Sequence, residues 1–247
     1  MRAPVSDLRP GLRELEPETG RYLRRVHRLA PGDSFLAFDP EAELEADAKL
    51  LPPAGRCARA MFGLPRRAAL RPAGRVTLVQ ALGKGDKVEA VVRDATELGV
   101  RCFVPVLAER SVRRPNRADL QLDRWRRIAV QAARQCGRGD VPLIAPLAEL
   151  PAALERLGRP APPALGVCLH PEGDQSLGSV LREHGALSEV TVLVGPEGGF
   201  APAELELARG LGYRIVTLGA LVLRTETACA AVMGALLCTL PVLPACL

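Results

Sequence analysis

The chain has 247 residues, nearly half of them apolar, with 33 basic and 28 acidic side chains. That length allows one large domain or two with separate cores, and the apolar fraction excludes a disordered chain. Seven cysteines with no CxxC pair, and three scattered histidines (27, 170 and 184), exclude a zinc finger or ribbon; they predict reduced thiols and no metal.

The opening MRAPVSDLRPGLRE is charged and proline-containing, without the apolar centre of a leader, which predicts a cytoplasmic protein. Residues 1–72 hold short apolar pieces (34–38 and 56–62) and a half-alternating stretch (42–50), separated by Pro-Gly-Asp and Pro-Pro turns. This predicts a small β-rich domain. Residues 70–74, LRPAG, read as a linker to a second domain over 73–247. There 76–81 predicts a strand, and Val88, Val91, Val92, Ala95 and Leu98 recur at helical spacing up to Gly99. Residues 102–107 predict a strand, and Leu122, Trp125, Ala129, Ala132 and Cys136 a helix closed by Gly137. Further strands are predicted at 141–145, 164–169, 190–194 and 214–218. Strand–helix alternation of this kind predicts a parallel sheet covered by helices. From Thr227 to Leu247 no residue is charged, but Pro241 and Pro244 interrupt the run. A helix buried on all sides, in the core or against a second subunit, is expected there rather than a membrane span.

Charge is uneven. Residues 1–140 carry 27 basic and 18 acidic side chains, and residues 141–247 carry 6 and 10. Of the basic residues 30 are arginine, concentrated in RYLRRVHR (21–28), RRPNR (113–117) and RWRRIAVQAARQCGR (124–138). A basic first half points to a polyanion, and the planar guanidinium fork suits phosphate.

Three predicted strand ends carry small or polar loops: LHPEG (169–173), GPEGG (195–199) and LGA (218–220). In an open parallel sheet ligands sit beyond such ends. The loop at 195 is neither GxGxxG nor a phosphate-cradling loop, and Glu197 would repel a phosphate. A neutral or zwitterionic cofactor, an adenosine with an amino-acid tail, fits better. Thr225 is placed to cap the following helix.

The segment GPEGGFAPAELELARGLGYRIVTLG…LRTETA closely resembles the C-terminal signature of the RsmE-type ribosomal RNA methyltransferases of the SPOUT superfamily. KGDK…ATELGV (84–100), RWRRIA..AA.Q.GR (124–138) and LRRVHRLAPGDSFLAFD (23–39) extend the match. The resemblance implies an α/β protein: an N-terminal PUA-like β-barrel (1–72), then a SPOUT domain (73–247) with a parallel sheet and a deep trefoil knot. It implies a homodimer acting on one uridine of 16S ribosomal RNA, or on the small ribosomal subunit, at N3. It implies S-adenosylmethionine (S-adenosyl-L-methionine) held by His170, Leu193, Val194, Gly195, Glu197, Gly198, Leu218, Gly219, Leu223, Arg224, Thr225, Thr227 and Ala228. For RNA it implies contacts by Arg2, Arg24, Arg25, Lys84, Arg134, Gln135 and Arg138. The chain departs from relatives at Ala220-Leu221-Val222, where a proline and an arginine are usual, and at Ala90 and Asp94.

Methylation at N3 requires the N3 proton to leave, so a carboxylate or polarised water must accept it. Glu197 and Glu226 are the catalytic candidates, with Arg224 or Arg138 holding the base or its phosphates. Other roles stay open: Glu226 as a first-turn acid on a helix dipole, and Arg138 as ordinary charge near a helix end. Three alternatives remain: a non-catalytic RNA-binding protein on the same fold, a methyltransferase for another RNA, or a small-molecule enzyme.

Overall fold

A computed structural model describes residues 1–55, 57–72, 74–83, 87–111, 117–185 and 187–240. Two compact units are distinguished. One comprises Met1–Arg71 with Val130–Val141, the other Pro72–Ala129 with Pro142–Leu243. Val130–Val141 thus group with the first unit, beyond the expected boundary at 72.

The first unit contains β1 (Arg2–Pro4), β2 (Gly11–Glu14), α1 (Pro17–Arg21), a π-helical turn (Tyr22–Val26), β3 (Ser34–Asp39), β4 (Leu44–Ala54), β5 (Cys57–Phe62) and β6 (Arg66–Arg67). The strands form one sheet in the order β1-β3-β4-β5-β2, with β6 on β4; all pairs are antiparallel except β1 with β3. Period-two alternation sets the faces. In β4, Ala46, Ala48 and Leu50 turn inward while Asp47 and Lys49 are exposed. They join Leu23, Phe35 and Phe62 in the core, the two phenyl rings meeting edge to face at 6.3 Å. Buried Asp39 is satisfied by backbone donors, accepting from Leu8 on one oxygen and from Glu41 and Ala42 on the other.

The second unit runs β7 (Arg75–Ala81), α2 (Lys87–Glu97), β8 (Cys102–Leu107), α3 (Ala118–Cys136), β9 (Leu143–Ile144), β10 (Ala148–Glu149), α4 (Leu150–Leu157), β11 (Leu165–Leu169), β12 (Gln175–Ser176), α5 (Leu177–His184), β13 (Glu189–Val194), α6 (Pro202–Gly210), β14 (Arg214–Thr217) and α7 (Thr225–Leu237). The C-terminal turns of α3 fall in the stretch that groups with the first unit. All pairs in its sheet are parallel, in the order β10-β8-β7-β13-β11-β14-β12, with β9 on β8. The expected α/β fold with a parallel sheet is present. In central β13, Val192, Leu193 and Val194 are buried in succession, as in a strand covered on both faces. The strand expected over 141–145 shrinks to Leu143–Ile144, since Pro142 and Pro146 bracket it and offer no N–H to a ladder.

Helix α2 buries Val88, Val91, Val92 and Ala95, the stripe its spacing predicts. Within the single chain helix α7 buries one stripe, Thr225, Cys229, Val232, Met233 and Leu236. Apart from Glu226 in the first turn, its remaining side chains are uncharged, and Leu237 is exposed. Among the described residues no helix is long and apolar enough to cross a membrane, and no group of three or more His, Cys, Asp or Glu is placed to hold a metal ion.

Candidate active site

The sheet order sets β11 between β13 and β14. The loops leaving their carboxyl ends, 170–174, 195–201 and 218–224, therefore converge. They enclose a cavity of about 290 Å3, completed by Thr225 and Ala228 of α7. Its walls are mostly aliphatic, with Leu169, Val194, Val216, Leu218, Leu221, Val222 and Leu223; His170, Glu197, Arg224 and Thr225 add polar groups. Apolar walls with a few convergent polar groups are the usual make-up of a small-molecule site, and this volume is near the lower end of the usual ~300–1,000 Å3.

Of the thirteen residues singled out for the cofactor, nine line this cavity: His170, Val194, Gly195, Glu197, Leu218, Leu223, Arg224, Thr225 and Ala228. Four do not. Leu193 is buried in the core under the sheet. Gly198 points its carbonyl to Arg110, whose Nη1 donates at 2.9 Å. Thr227 is exposed on α7, and Gly219 adopts φ +147°, a backbone region that favours glycine.

Local chemistry fixes several of the nine. Thr225 is not the helix cap. Arg224 holds the cap position, and the buried Thr225 hydroxyl donates to the Gly195 carbonyl at 3.3 Å, linking loop to helix. A Cβ on Gly195 would lie 3.3 Å from the Phe200 ring and from its backbone nitrogen, so the loop folds tightly on itself. The His170 Nδ1 accepts from the backbone N–H of Glu172 at 3.2 Å, which in a neutral imidazole leaves Nε2 as the ring donor.

The two candidate acids meet at a residue that the sequence did not single out. Lys87, the first residue of α2, donates to Glu197 Oε1 at 2.8 Å and lies 4.0 Å from Glu226 Oε2. Its ammonium is held above the ordinary lysine value, foremost by the hydrogen bond to Glu197. Partial desolvation opposes this, the charges of Glu197 and Glu226 add to it, and Arg224 opposes it again. Glu226 Oε2 is buried and accepts no hydrogen bond from the described residues. On another side of Glu197 lies Gly83: a Cβ there would sit 2.7 Å from Glu197 Oε2. Lys87 falls in the quoted KGDK stretch, but nothing local in a lysine at a helix start points to two acids 110 and 139 positions further along the chain.

The residues singled out for RNA divide in two. Arg24 and Arg25 are exposed, and with Arg21 and Cys57 they line a cleft of about 710 Å3 in the first unit. Arg134 stacks over Tyr22, its guanidinium carbon 3.6 Å from the ring centre, and Gln135 is exposed. Arg2 and Arg138 are instead committed internally. Arg138 makes a two-pronged, buried ion pair with Asp140 at 2.9 and 2.7 Å. Arg2 pairs with buried Glu45 at 3.2 Å, lies over Phe38 and donates to the Arg138 carbonyl. A phosphate reaching either would have to displace a buried carboxylate, so the structure argues against both as RNA contacts. Lys84 lies outside the described residues.

Comparison with known proteins agrees with this geometry. The sequence profile of the RNA methyltransferase domain family matches residues 70–237. The chain is 33% identical to ribosomal RNA small subunit methyltransferase E of Synechocystis sp., over 84% of this chain and 66% of that one. With the Mycobacterium tuberculosis protein of the same name identity is 31%, over 90% and 84%. The structure of the Neisseria gonorrhoeae ribosomal RNA small subunit methyltransferase E bound to S-adenosyl methionine superposes with a TM-score of 0.84, at 28% identity and 95% coverage of both chains. A putative methyltransferase of Legionella pneumophila in complex with the same cofactor gives 0.86, at 27% identity and 98% coverage of both. Strand order, the convergent loops and the sequence match together place this chain in the RNA methyltransferase family.

Proposed function

We propose that the chain transfers a methyl group from S-adenosylmethionine to N3 of a uridine in 16S ribosomal RNA. The observation carrying this reading is the cavity at the ends of β13, β11 and β14, with a Lys87–Glu197–Glu226 group beside it, in a chain of the RNA methyltransferase family. The cavity fits the cofactor: aliphatic walls suit the adenine, and Glu197 is the negative charge lining it, suited to a cationic sulfonium and ammonium.

When bound, S-adenosylmethionine supplies a methyl carbon that bonds to N3 while its bond to sulfur breaks, leaving the neutral thioether. The chain's own residues handle the proton and the charge. Glu226 Oε2, buried without a hydrogen bond among the described residues, is the acceptor we assign to the N3 proton, with Glu197 second. Arg224, exposed at the start of α7, meets the negative charge that moves onto the uracil oxygens as the proton leaves. Arg24, Arg25, Arg134 and Gln135 supply the RNA surface.

The same reading covers the finer architecture. The mostly antiparallel sheet of the first unit is read as a PUA-like barrel. The loops 195–201 and 218–224, tied by the Thr225–Gly195 hydrogen bond, are read as the crossing of a trefoil knot. The outer face of α7, uncharged beyond Glu226, supports a homodimer, and the substrate supports a cytoplasmic setting. Calorimetry with S-adenosylmethionine, followed by transfer to small subunits and mass spectrometry of the nucleosides, tests the function. Cofactor binding and N3-methyluridine are expected; absence of cofactor binding overturns it.

A further inference from the structure

We propose that Lys87 is a positioning residue for methyl transfer: its ammonium draws Glu197 and Glu226 together as a charged pair ready to receive the uridine proton. The inference rests on the carboxylate-base reading above. Three segments distant in sequence meet at this one Nζ: the start of α2, the loop after β13 and the first turn of α7.

Helix stability does not explain a lysine here. A cation at a helix N-terminus opposes the macrodipole, whereas Glu226 in the first turn of α7 agrees with it. Packing around Glu197 supports a built position: Gly83 leaves room for the carboxylate that any Cβ would displace. Two carboxylates converging without a counter-ion repel each other, and one then retains a proton to higher pH. A carboxylate that already holds a proton cannot accept one from N3. Lys87 sets a positive charge between the two carboxylates and offsets that repulsion, so the proton leaves N3 for a carboxylate oxygen and the N3 electron pair forms the bond to the methyl carbon as the carbon–sulfur pair returns to sulfur. The raised proton affinity of Lys87 keeps the ammonium charged throughout the working pH range.

The test uses the full chain with Lys87→Met, Lys87→Arg and Gly83→Ala. Lys87→Met is expected to lower kcat at pH 7 by roughly tenfold or more with KM for RNA within about threefold, and to move the acid limb of the kcat profile to higher pH. Lys87→Arg is expected to restore most of the rate, because a guanidinium also bridges two carboxylates. Gly83→Ala, which displaces Glu197 and leaves Lys87 in place, is expected to reproduce the slow phenotype, and it covers the case of Lys87→Met failing to fold. Independently of turnover, the 15N resonance of the Lys87 ammonium in the cofactor-free protein is expected to show hydrogen-bond protection that Glu197→Ala removes. A Lys87→Met enzyme with the wild-type acid limb, or a Lys87 resonance indifferent to Glu197→Ala, overturns the positioning role. Should Glu197→Gln and Glu226→Gln both turn over at the wild-type rate, the base reading itself fails, whatever Lys87→Met does.

Discussion

Glu226 lies in the first turn of α7, where the helix dipole also favours a carboxylate. Removing its charge while keeping its shape separates the two roles. As a dipole partner alone, Glu226→Gln loses ~0.3–1 kcal/mol of stability and turns over normally. As the proton acceptor it keeps cofactor and RNA binding while turnover falls by roughly 10²–10⁴-fold and recovers in part as pH rises. The second result is expected, since Glu226 Oε2 is buried with the Lys87 ammonium 4.0 Å away. Glu197→Gln belongs in the same series. Thiols give a second prediction at this scale. Burial pushes Cys168 and Cys229 up to about 12 from an ordinary 9.0. The folded state therefore keeps protons that the unfolded chain releases, so this contribution is whole below about pH 9 and is lost as pH rises towards 12. Thermal unfolding in reductant is expected to show Tm falling steadily above pH 9, with a shallower fall in Cys168→Ala/Cys229→Ala.

At the level of elements, the site is a product of strand order. No single loop forms it; β11 lies between β13 and β14, so three loops meet that are separated by whole strand–helix segments of the chain. Their mutual fit is tight. Gly195 has Phe200 at 3.3 Å from its would-be Cβ, and its carbonyl receives the Thr225 hydroxyl. Gly195→Val is expected to push the 195–200 loop off α7 and weaken S-adenosylmethionine by tenfold or more, about 1.4 kcal/mol. Circular dichroism should be unchanged, because β13 ends one residue earlier. Calorimetry showing undiminished affinity would remove this loop from the site. Glu204 ties the same region further out, its two oxygens accepting from Ala201 at the start of α6 and from Glu109 after β8.

For the whole molecule, charge is the organising quantity. The first 140 residues hold a net +9 and the remainder a net −4, and the exposed Arg24 and Arg25 belong to the basic part. RNA affinity is expected to fall steeply with salt through counterion release. The variant Arg24→Gln/Arg25→Gln should bind more weakly and reduce the salt slope by roughly 1 for each phosphate left without its arginine. Arg138→Gln should behave differently. It removes the buried guanidinium from beside Asp140, so it should lower Tm and leave the salt slope of the folded fraction unchanged. A lowered salt slope in that variant would return Arg138 to the RNA surface.

Much of this was legible in the chain. Periodicity located β7, α2, β8, β13 and the buried face of α2, because those patterns express local geometry and one-sided burial. Glycine-rich strand ends marked where the cavity lies, since an open parallel sheet leaves its loops there whatever the order of strands. Other features required the tertiary structure. The meeting of Lys87 with Glu197 and Glu226 depends on α2, β13 and α7 converging, and no spacing rule spans that distance. Arg138 looks in sequence like one more arginine of a basic stretch; only packing shows it to be closed on Asp140. Thr225 reads as a cap, yet its hydroxyl is taken by a carbonyl thirty residues earlier. Sequence determines which groups are available and which local shapes they favour; pairing between distant charges is decided when the sheet fixes its strand order.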